Sequence, residues 1–299
     1  MFVGRSKELK KLQKLYENDS FEFAVFYGRR RIGKTTLINE FIKDKKAVYY
    51  MSVEGTRKEN LAGLSRAILS DRHGAAPQFP DFESLLGYID QLAVTGERMI
   101  IAIDEFPYLA ASYPAISSML QSHIDLHWKN SRLFLILCGS SMSFMEEQVL
   151  GYKSPLYGRR TAQFKLHPFT FYEARKMLTG FSPEEQAVLY GVTGGIPEYL
   201  SRISQTRTMD ENILELFFDE SGRLFEEPVN LLKQENVTEE ERKSYVRVLD
   251  QKSMRLKVLI EDLFEVSKAS SGTVSLHQED VDIVSLLKQV RFELSDKIA

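Results

Sequence analysis

Gly28-Arg29-Arg30-Arg31-Ile32-Gly33-Lys34-Thr35-Thr36 follows the apolar run Phe23-Ala24-Val25-Phe26-Tyr27 and opens into the helical pattern Thr36-Leu37-Ile38-Asn39-Glu40-Phe41-Ile42. The stretch satisfies G-x-x-x-x-G-K-[ST], and a strand before with a helix after is the context that pattern requires. Gly28 and Gly33 let the backbone turn tightly, so that successive N–H groups face phosphate oxygens. The helix starting near Lys34 points its positive N-terminal end at the same place. Lys34 can reach the β- and γ-phosphates, and Thr35 can offer its hydroxyl to Mg²⁺. A Gly-rich turn alone leaves the G-K-T-T run unexplained. The spacing implies a bound nucleoside triphosphate.

Working outward, short apolar runs recur at 23–27, 47–51, 99–103, 133–138 and 162–166, with helical patterns between them. Runs that are apolar throughout fit strands covered on both faces, which implies a parallel sheet in an α/β fold. The third run ends in Asp104-Glu105-Phe106-Pro107. An acidic residue at the C-terminal end of a buried parallel strand sits where such sheets bind ligand. Asp104 is expected to hold Mg²⁺, usually through a water, and Glu105 to polarise the attacking water as general base. The fourth run ends in Gly139-Ser140-Ser141. A small polar residue there, Ser140 above all, could touch the γ-phosphate or the attacking water; it could equally cap a helix starting at Ser143, and the two roles are compatible.

Composition narrows the class. The chain has 299 residues, 43% hydrophobic and 27% charged, with net charge −3 and pI about 6.1. That length suggests about two domains. Nothing in the overall charge calls for nucleic acid or an anionic membrane. The one cysteine, Cys138, fits a reducing compartment. No apolar run approaches the roughly 20 residues of a membrane span, and Met1-Phe2-Val3-Gly4-Arg5 passes straight into a charged amphipathic segment. The expected location is the cytoplasm. For Arg29, Arg30 and Arg31, solvent or an acidic partner within the chain is favoured over nucleic acid by the negative net charge. His123 and His127 are four apart on the amphipathic stretch 116–128, which also carries Trp128. A metal site needs at least three placed groups, and no third ligand is apparent in the sequence, so they are read as a packed or surface pair.

Phe2-Val3-Gly4-Arg5-Ser6-Lys7-Glu8-Leu9 resembles the entry motif of AAA+-like ATPases. Together with the phosphate loop, I-I-A-I-D-E-F, L-C-G-S-S, P-L-Y-G-R-R-T at 155–161 and G-G-I-P-E-Y-L at 194–200, it is similar to the archaeal-type ATPase domain family, related to signal-transducing STAND ATPases. The resemblance runs to about residue 228. It implies an ASCE-type sheet, with one strand between the phosphate-loop strand and the Asp-Glu strand, and a helical lid after about residue 170. It implies ATP as the nucleotide, Gly4 and Arg5 beside adenine, and Pro197 packed on adenine. Arg159 or Arg160 would contact the γ-phosphate, in cis or across a subunit interface.

After about residue 228 the character changes. Thr238-Glu239-Glu240-Glu241 reads as a capping box, and a charged helix with heptad-like apolar spacing (Val246, Leu249, Leu256, Ile260, Leu263) runs to about Lys268. Thr273–His277 alternates like a short strand, and 281–298 returns to helical periodicity. Residues 230–272 resemble the second dimerisation helix of sensor histidine kinases, and the residues after them resemble the start of the kinase catalytic domain. The stretch where the phospho-acceptor histidine belongs, Leu214–Phe218, has none, and the ATP-binding boxes would follow residue 299. Histidine-kinase activity is not expected.

The combined expectation is an ATPase core over 1–172, a helical lid over 173–228 and a kinase-like fragment over 229–299. The function expected is Mg²⁺-dependent ATP binding and hydrolysis, driving a switch. The alternative is an ATP-binding signalling or dimerisation protein with little turnover, or a kinase-related signal-transduction fragment. A homodimer or oligomer is expected through the 238–268 helix or the Arg159/Arg160 face.

Overall fold

A computed structural model of the chain describes residues 2–18, 20–69 and 78–227, together with Lys243. Among the described residues five strands form one sheet: β1 (Glu22–Tyr27), β2 (Ala47–Met51), β3 (Met99–Asp104), β4 (Leu133–Gly139) and β5 (Ala162–Lys165). Their order is β2-β3-β4-β1-β5, and every pairing is parallel. β4 therefore lies between the phosphate-loop strand and the Asp-Glu strand, as the ASCE-type expectation requires.

Parallel strands need crossovers, and helices supply them on both faces. They are α1 (Ser6–Glu17), α2 (Lys34–Ile42), α3 (Arg57–Leu69), α4 (Phe82–Val94), α5 (Phe106–Ser112) and α6 (Ile116–His123). The central strands alternate between two cores. Phe23, Val25, Ile101, Ile103, Leu135 and Leu137 join one, with Phe82 and Leu85 of α4 and Leu109 of α5. Ala24, Phe26, Ile100, Ala102, Phe134 and Ile136 join the other, with Leu12 of α1 and Leu37, Ile38 and Phe41 of α2. Both faces are dry, which is why these runs are apolar throughout rather than alternating.

Two expectations need adjusting. The edge strand β5 alternates buried and exposed, and the edge strand β2 is mostly half-buried, so coverage on both faces holds only for β1, β3 and β4. The stretch 116–128 is not a uniform helix either. α6 ends at His123, and Ile124–Trp128 forms a π-helical turn.

Beyond the sheet lie α7 (Met142–Phe144), α8 (Phe171–Ala174), α9 (Pro183–Thr193), α10 (Pro197–Leu200) and α11 (Met209–Ile213). The helices from α8 onward gather a separate small core of Phe169, Ala174, Leu178, Phe181, Leu189, Leu200 and Ile203. These helices, termed the lid, fill the stretch where a helical lid is expected. Three of its helices start at capping boxes, Thr170 with Glu173, Ser182 with Glu185 and Thr208 with Glu211. Each such cap contributes about 1 kcal/mol, which matters for helices this short.

The chain divides into two compact units, Met1–Pro228 and Val229–Ala299. The long helix expected over 238–268, the strand-like 273–277 and the helical 281–298 lie outside the described residues, apart from Lys243. Among the described residues no helix is long and apolar enough to cross a membrane.

Candidate functional site

The phosphate loop spans the C-terminal end of β1 and the start of α2. Gly28, Arg31 and Gly33 all adopt positive φ, at 145°, 68° and 83°. A Cβ on Gly28 would stand 2.5 Å from both Ile32 Cδ1 and Leu166 O, so no side chain fits. The loop wraps the Lys34 ammonium, which donates to Gly28 O and Arg29 O at 2.8 Å each. Lys34 is 6% exposed, and burial pushes its pKa down. A tight loop, the N-terminal end of α2 and a buried cation thus come together, the arrangement a polyphosphate needs.

Asp104 ends β3, 1% exposed. Its Oδ2 accepts from Thr35 Oγ1 at 2.6 Å and from the Tyr49 hydroxyl at 2.9 Å, while Oδ1 accepts from the Glu105 N–H at 2.8 Å. A hydroxyl and a carboxylate oxygen this close are hard oxygen donors of the kind Mg²⁺ takes. Thr35 and Asp104 therefore fit that ion. Sequence reasoning missed Tyr49. It stands on β2, which pairs with β3, and strand order is the one signal that would have found it. Burial first, then the Asp104 carboxylate, pushes the Tyr49 phenol up, so it stays a donor.

Glu105 caps α5 in the left-handed region, φ 47° and ψ 44°. For a residue with a Cβ that costs about 1–3 kcal/mol, and such strain clusters at active sites. Its carboxylate accepts from Ser140 Oγ at 2.9 Å and Ser140 N at 3.2 Å. The expected capping position falls on Ser141, one residue past Ser140, and its side chain makes no cap hydrogen bond. α7 starts at Met142 after Ser141, and Ser140 is committed to Glu105.

Residues 2–203 match the family described as an ATPase domain predominantly from Archaea. That is more than half of the chain. The chain belongs to this ATPase family. An uncharacterized protein of Methanocaldococcus jannaschii is 38% identical over 203 residues, covering 68% of this chain and 44% of the relative. The chain thus spans less than half the length of that relative. An uncharacterized ATP-binding protein of the same organism is 44% identical over 46 residues, 15% of this chain and 78% of the relative. Among solved structures, the Walker-type ATPase of Pyrococcus abyssi superposes with a TM-score of 0.56 at 18% identity, covering 88% of this chain and 89% of that one. Cdc6p from Pyrobaculum aerophilum gives 0.50 at 16% identity, covering 67% and 61%. At these identities the structures speak for the fold alone.

Elsewhere in this ATPase domain two of the loop arginines have side-chain partners within the chain. Arg31 pairs with Glu227, which also accepts from the buried Tyr199 hydroxyl, and Arg30 donates to the Tyr108 hydroxyl at 3.1 Å. The Arg31 carbonyl accepts from Glu198 N at 3.3 Å, next to Pro197 at the start of α10. Gly4 and Arg5 both have positive φ, and the Arg5 guanidinium donates to Ile32 O at 3.0 Å and lies 4.8 Å from the centre of the Phe169 ring. The entry motif, the loop and the lid therefore meet around Ile32 and Arg31.

Arg159 stands elsewhere. It precedes β5, where Thr161 N bonds Phe23 O at the N-terminal end of the sheet. Five residue steps along the strand separate Phe23 from Gly28, roughly 16 Å at the usual rise. Arg159 is also held in a fork by Asp125, with contacts of 3.1 and 2.6 Å. Contact with the γ-phosphate in cis is ruled out for Arg159 by this placement, and Arg160, half-buried beside it, shares the same end of the sheet.

Proposed function

We propose that this ATPase domain hydrolyses ATP with Mg²⁺ and works as a nucleotide-driven switch. The observation that carries the reading is the convergence of Lys34, Thr35, Asp104 and Glu105 at the C-terminal ends of β1 and β3. In the proposed sequence the N–H groups of Gly28 through Thr36 hold the phosphates. The Lys34 ammonium leaves the Gly28 and Arg29 carbonyls for the β- and γ-phosphate oxygens. Thr35 and Asp104 would hold Mg²⁺, which would supply positive charge to the phosphate oxygens when bound. Glu105 takes a proton from water as its oxygen bonds to the γ-phosphorus, and the bond from that phosphorus to the β-bridging oxygen breaks, leaving ADP and phosphate. Ser140 holds the Glu105 carboxylate in reach.

The switch reading is supported by the loop's ties to the lid through Arg31, Glu227 and Glu198. Gly4, Arg5 and Pro197 are proposed as the adenine side. Arg159 and Arg160 retain a proposed role only in trans, at an interface between two chains. A second reading is ATP binding with little turnover, in which the two Ser140 contacts to Glu105 Oε2 restrain the carboxylate and hold it back from the water.

Glu105→Gln separates the two. Removing a general base lowers turnover by about 10²–10⁴-fold while ATP binding, measured with a fluorescent analogue, stays within a factor of a few. An unchanged hydrolysis rate in Glu105→Gln would refute the catalytic assignment. Wild-type protein that binds ATP, changes its lid and releases no phosphate would leave the second reading standing.

A further inference from the structure

α4 ends four residues before β3 begins, and the π-helical turn Ile124–Trp128 precedes β4 in the same way, so both lie toward the N-terminal end of the sheet. There the structure supplies the third group that the sequence does not advertise beside the histidines. His123 Nδ1 lies 2.9 Å from both carboxylate oxygens of Asp90 on α4. His127 Nε2 lies 3.7 Å from Asp90 Oδ2. The three ligand atoms fall within 4.8 Å of one another.

We propose that Asp90, His123 and His127 form a binding site for a divalent transition-metal ion, with zinc the best match to its chemistry. Two imidazoles and one carboxylate are a common ligand set for zinc with an open fourth position. The spacing fits as well. A tetrahedron with bonds of about 2.0–2.1 Å has ligand-to-ligand edges near 3.3–3.4 Å. The 2.9 and 3.7 Å contacts bracket that edge. A hydrogen bond accounts for His123 and Asp90, while His127 Nε2 lies beyond hydrogen-bond reach of Asp90, at ion-pair distance. One ion between them satisfies all three.

The surroundings add to this. Trp128 Nε1 donates to Asp90 Oδ1 at 2.7 Å, leaving Oδ2 as the oxygen nearer His127. Ligating carboxylates are oriented by such outer donors. The π turn explains how His123, His127 and Trp128 reach one carboxylate. With more residues per turn than an α-helix, it puts positions four and five along on nearly the same face, and such turns recur at functional sites. His123 is nearly buried, while the His127 side chain is 49% exposed, so the open position faces solvent and the ion has a way in. The site would tie α4 to the end of α6, far from the phosphate loop.

The test uses the full chain without a histidine tag, free of nucleotide and Mg²⁺, titrated with Co²⁺ and then competed with Zn²⁺. Wild type should give a visible ligand-field band of tetrahedral intensity at one equivalent, which Zn²⁺ abolishes. His127→Ala, at a half-exposed position that tolerates truncation, should weaken affinity at least about 100-fold, and Trp128→Phe about tenfold as an outer-sphere change. Asp104→Asn should leave the band unchanged. Zinc should raise the melting temperature of wild type and not that of His127→Ala. Absence of the band, equal affinity in His127→Ala, or loss of the band in Asp104→Asn each overturns the proposal, the last by assigning the ion to the phosphate site.

Discussion

Tyr49 shows how much a single hydroxyl can matter where it meets a buried carboxylate. Asp104 is nearly inaccessible and accepts from Thr35 and Tyr49 on the same oxygen. If Thr35 and Asp104 hold Mg²⁺ as proposed, the Tyr49 hydroxyl joins the Glu105 N–H in keeping the carboxylate from rotating. A hydrogen bond to a charged group is worth about 1.5–3 kcal/mol. If only part of it is expressed in turnover, Tyr49→Phe lowers the rate about tenfold, which is about 1.4 kcal/mol of barrier. The variant should also need more Mg²⁺ for half-maximal rate, with ATP binding in the absence of metal unchanged. A Mg²⁺ titration of hydrolysis checks this, and identical curves would remove Tyr49 from the site. Lys34, Thr35, Asp104 and Glu105 were legible in the sequence because each lies inside a contiguous motif. Tyr49 and Asp90 were not, because strand pairing and helix packing bring them to their partners across 55 and 33 residues.

At the scale of elements, the phosphate loop is also the lid's anchor. Arg31 reaches Glu227, Glu227 accepts from Tyr199 of α10, and the Arg31 carbonyl takes the Glu198 N–H. In the proposed switch these contacts are the route by which a shift of the loop on filling with phosphate would reach residues 198–227. Arg31 is 41% exposed, so its ion pair adds only about 1 kcal/mol of stability. Its effect on local opening is larger, because Glu227 is left buried without a cation. Arg31→Ala should leave the melting temperature nearly unchanged while raising hydrogen exchange at 224–227, and the difference in exchange with and without ATP should shrink there. If exchange at 224–227 still responds to ATP as in wild type, the loop does not signal by this route. The strands themselves were readable as apolar runs where both faces are covered. β2 and β5 were harder to type as edges, since one strand neighbour in place of two is a property of topology, not of local pattern. The lid helices were readable only as resemblance, being four to eleven residues long and held by caps and a small core.

For the whole molecule, the far end of the sheet separates stability from catalysis. Asp125 in the π turn holds Arg159 in a fork and also meets Lys129 at 2.9 Å, joining the segment before β4 to the segment before β5. Hydrogen bonds from Arg159 and then Lys129 pull the Asp125 carboxyl from 3.8 down to about 2. A folded-state pKa below the unfolded one gives stability that is complete above the unfolded value and disappears as pH falls through the folded value. The denaturation midpoints of wild type and Asp125→Asn should therefore differ by a constant amount from neutral pH to about 5, about 1 kcal/mol for a partly exposed network. The gap should close between 3.8 and about 2. Urea unfolding at a series of pH values reads it directly, and a gap that persists at the acid end would show that the asparagine acts through packing instead of charge. The same variant probes the role of Arg159 between chains. An arginine that serves a neighbour's phosphate must first leave Asp125, so Asp125→Asn would raise hydrolysis in a concentration-dependent way. A purely structural arginine predicts lower stability with hydrolysis per chain unchanged at every protein concentration.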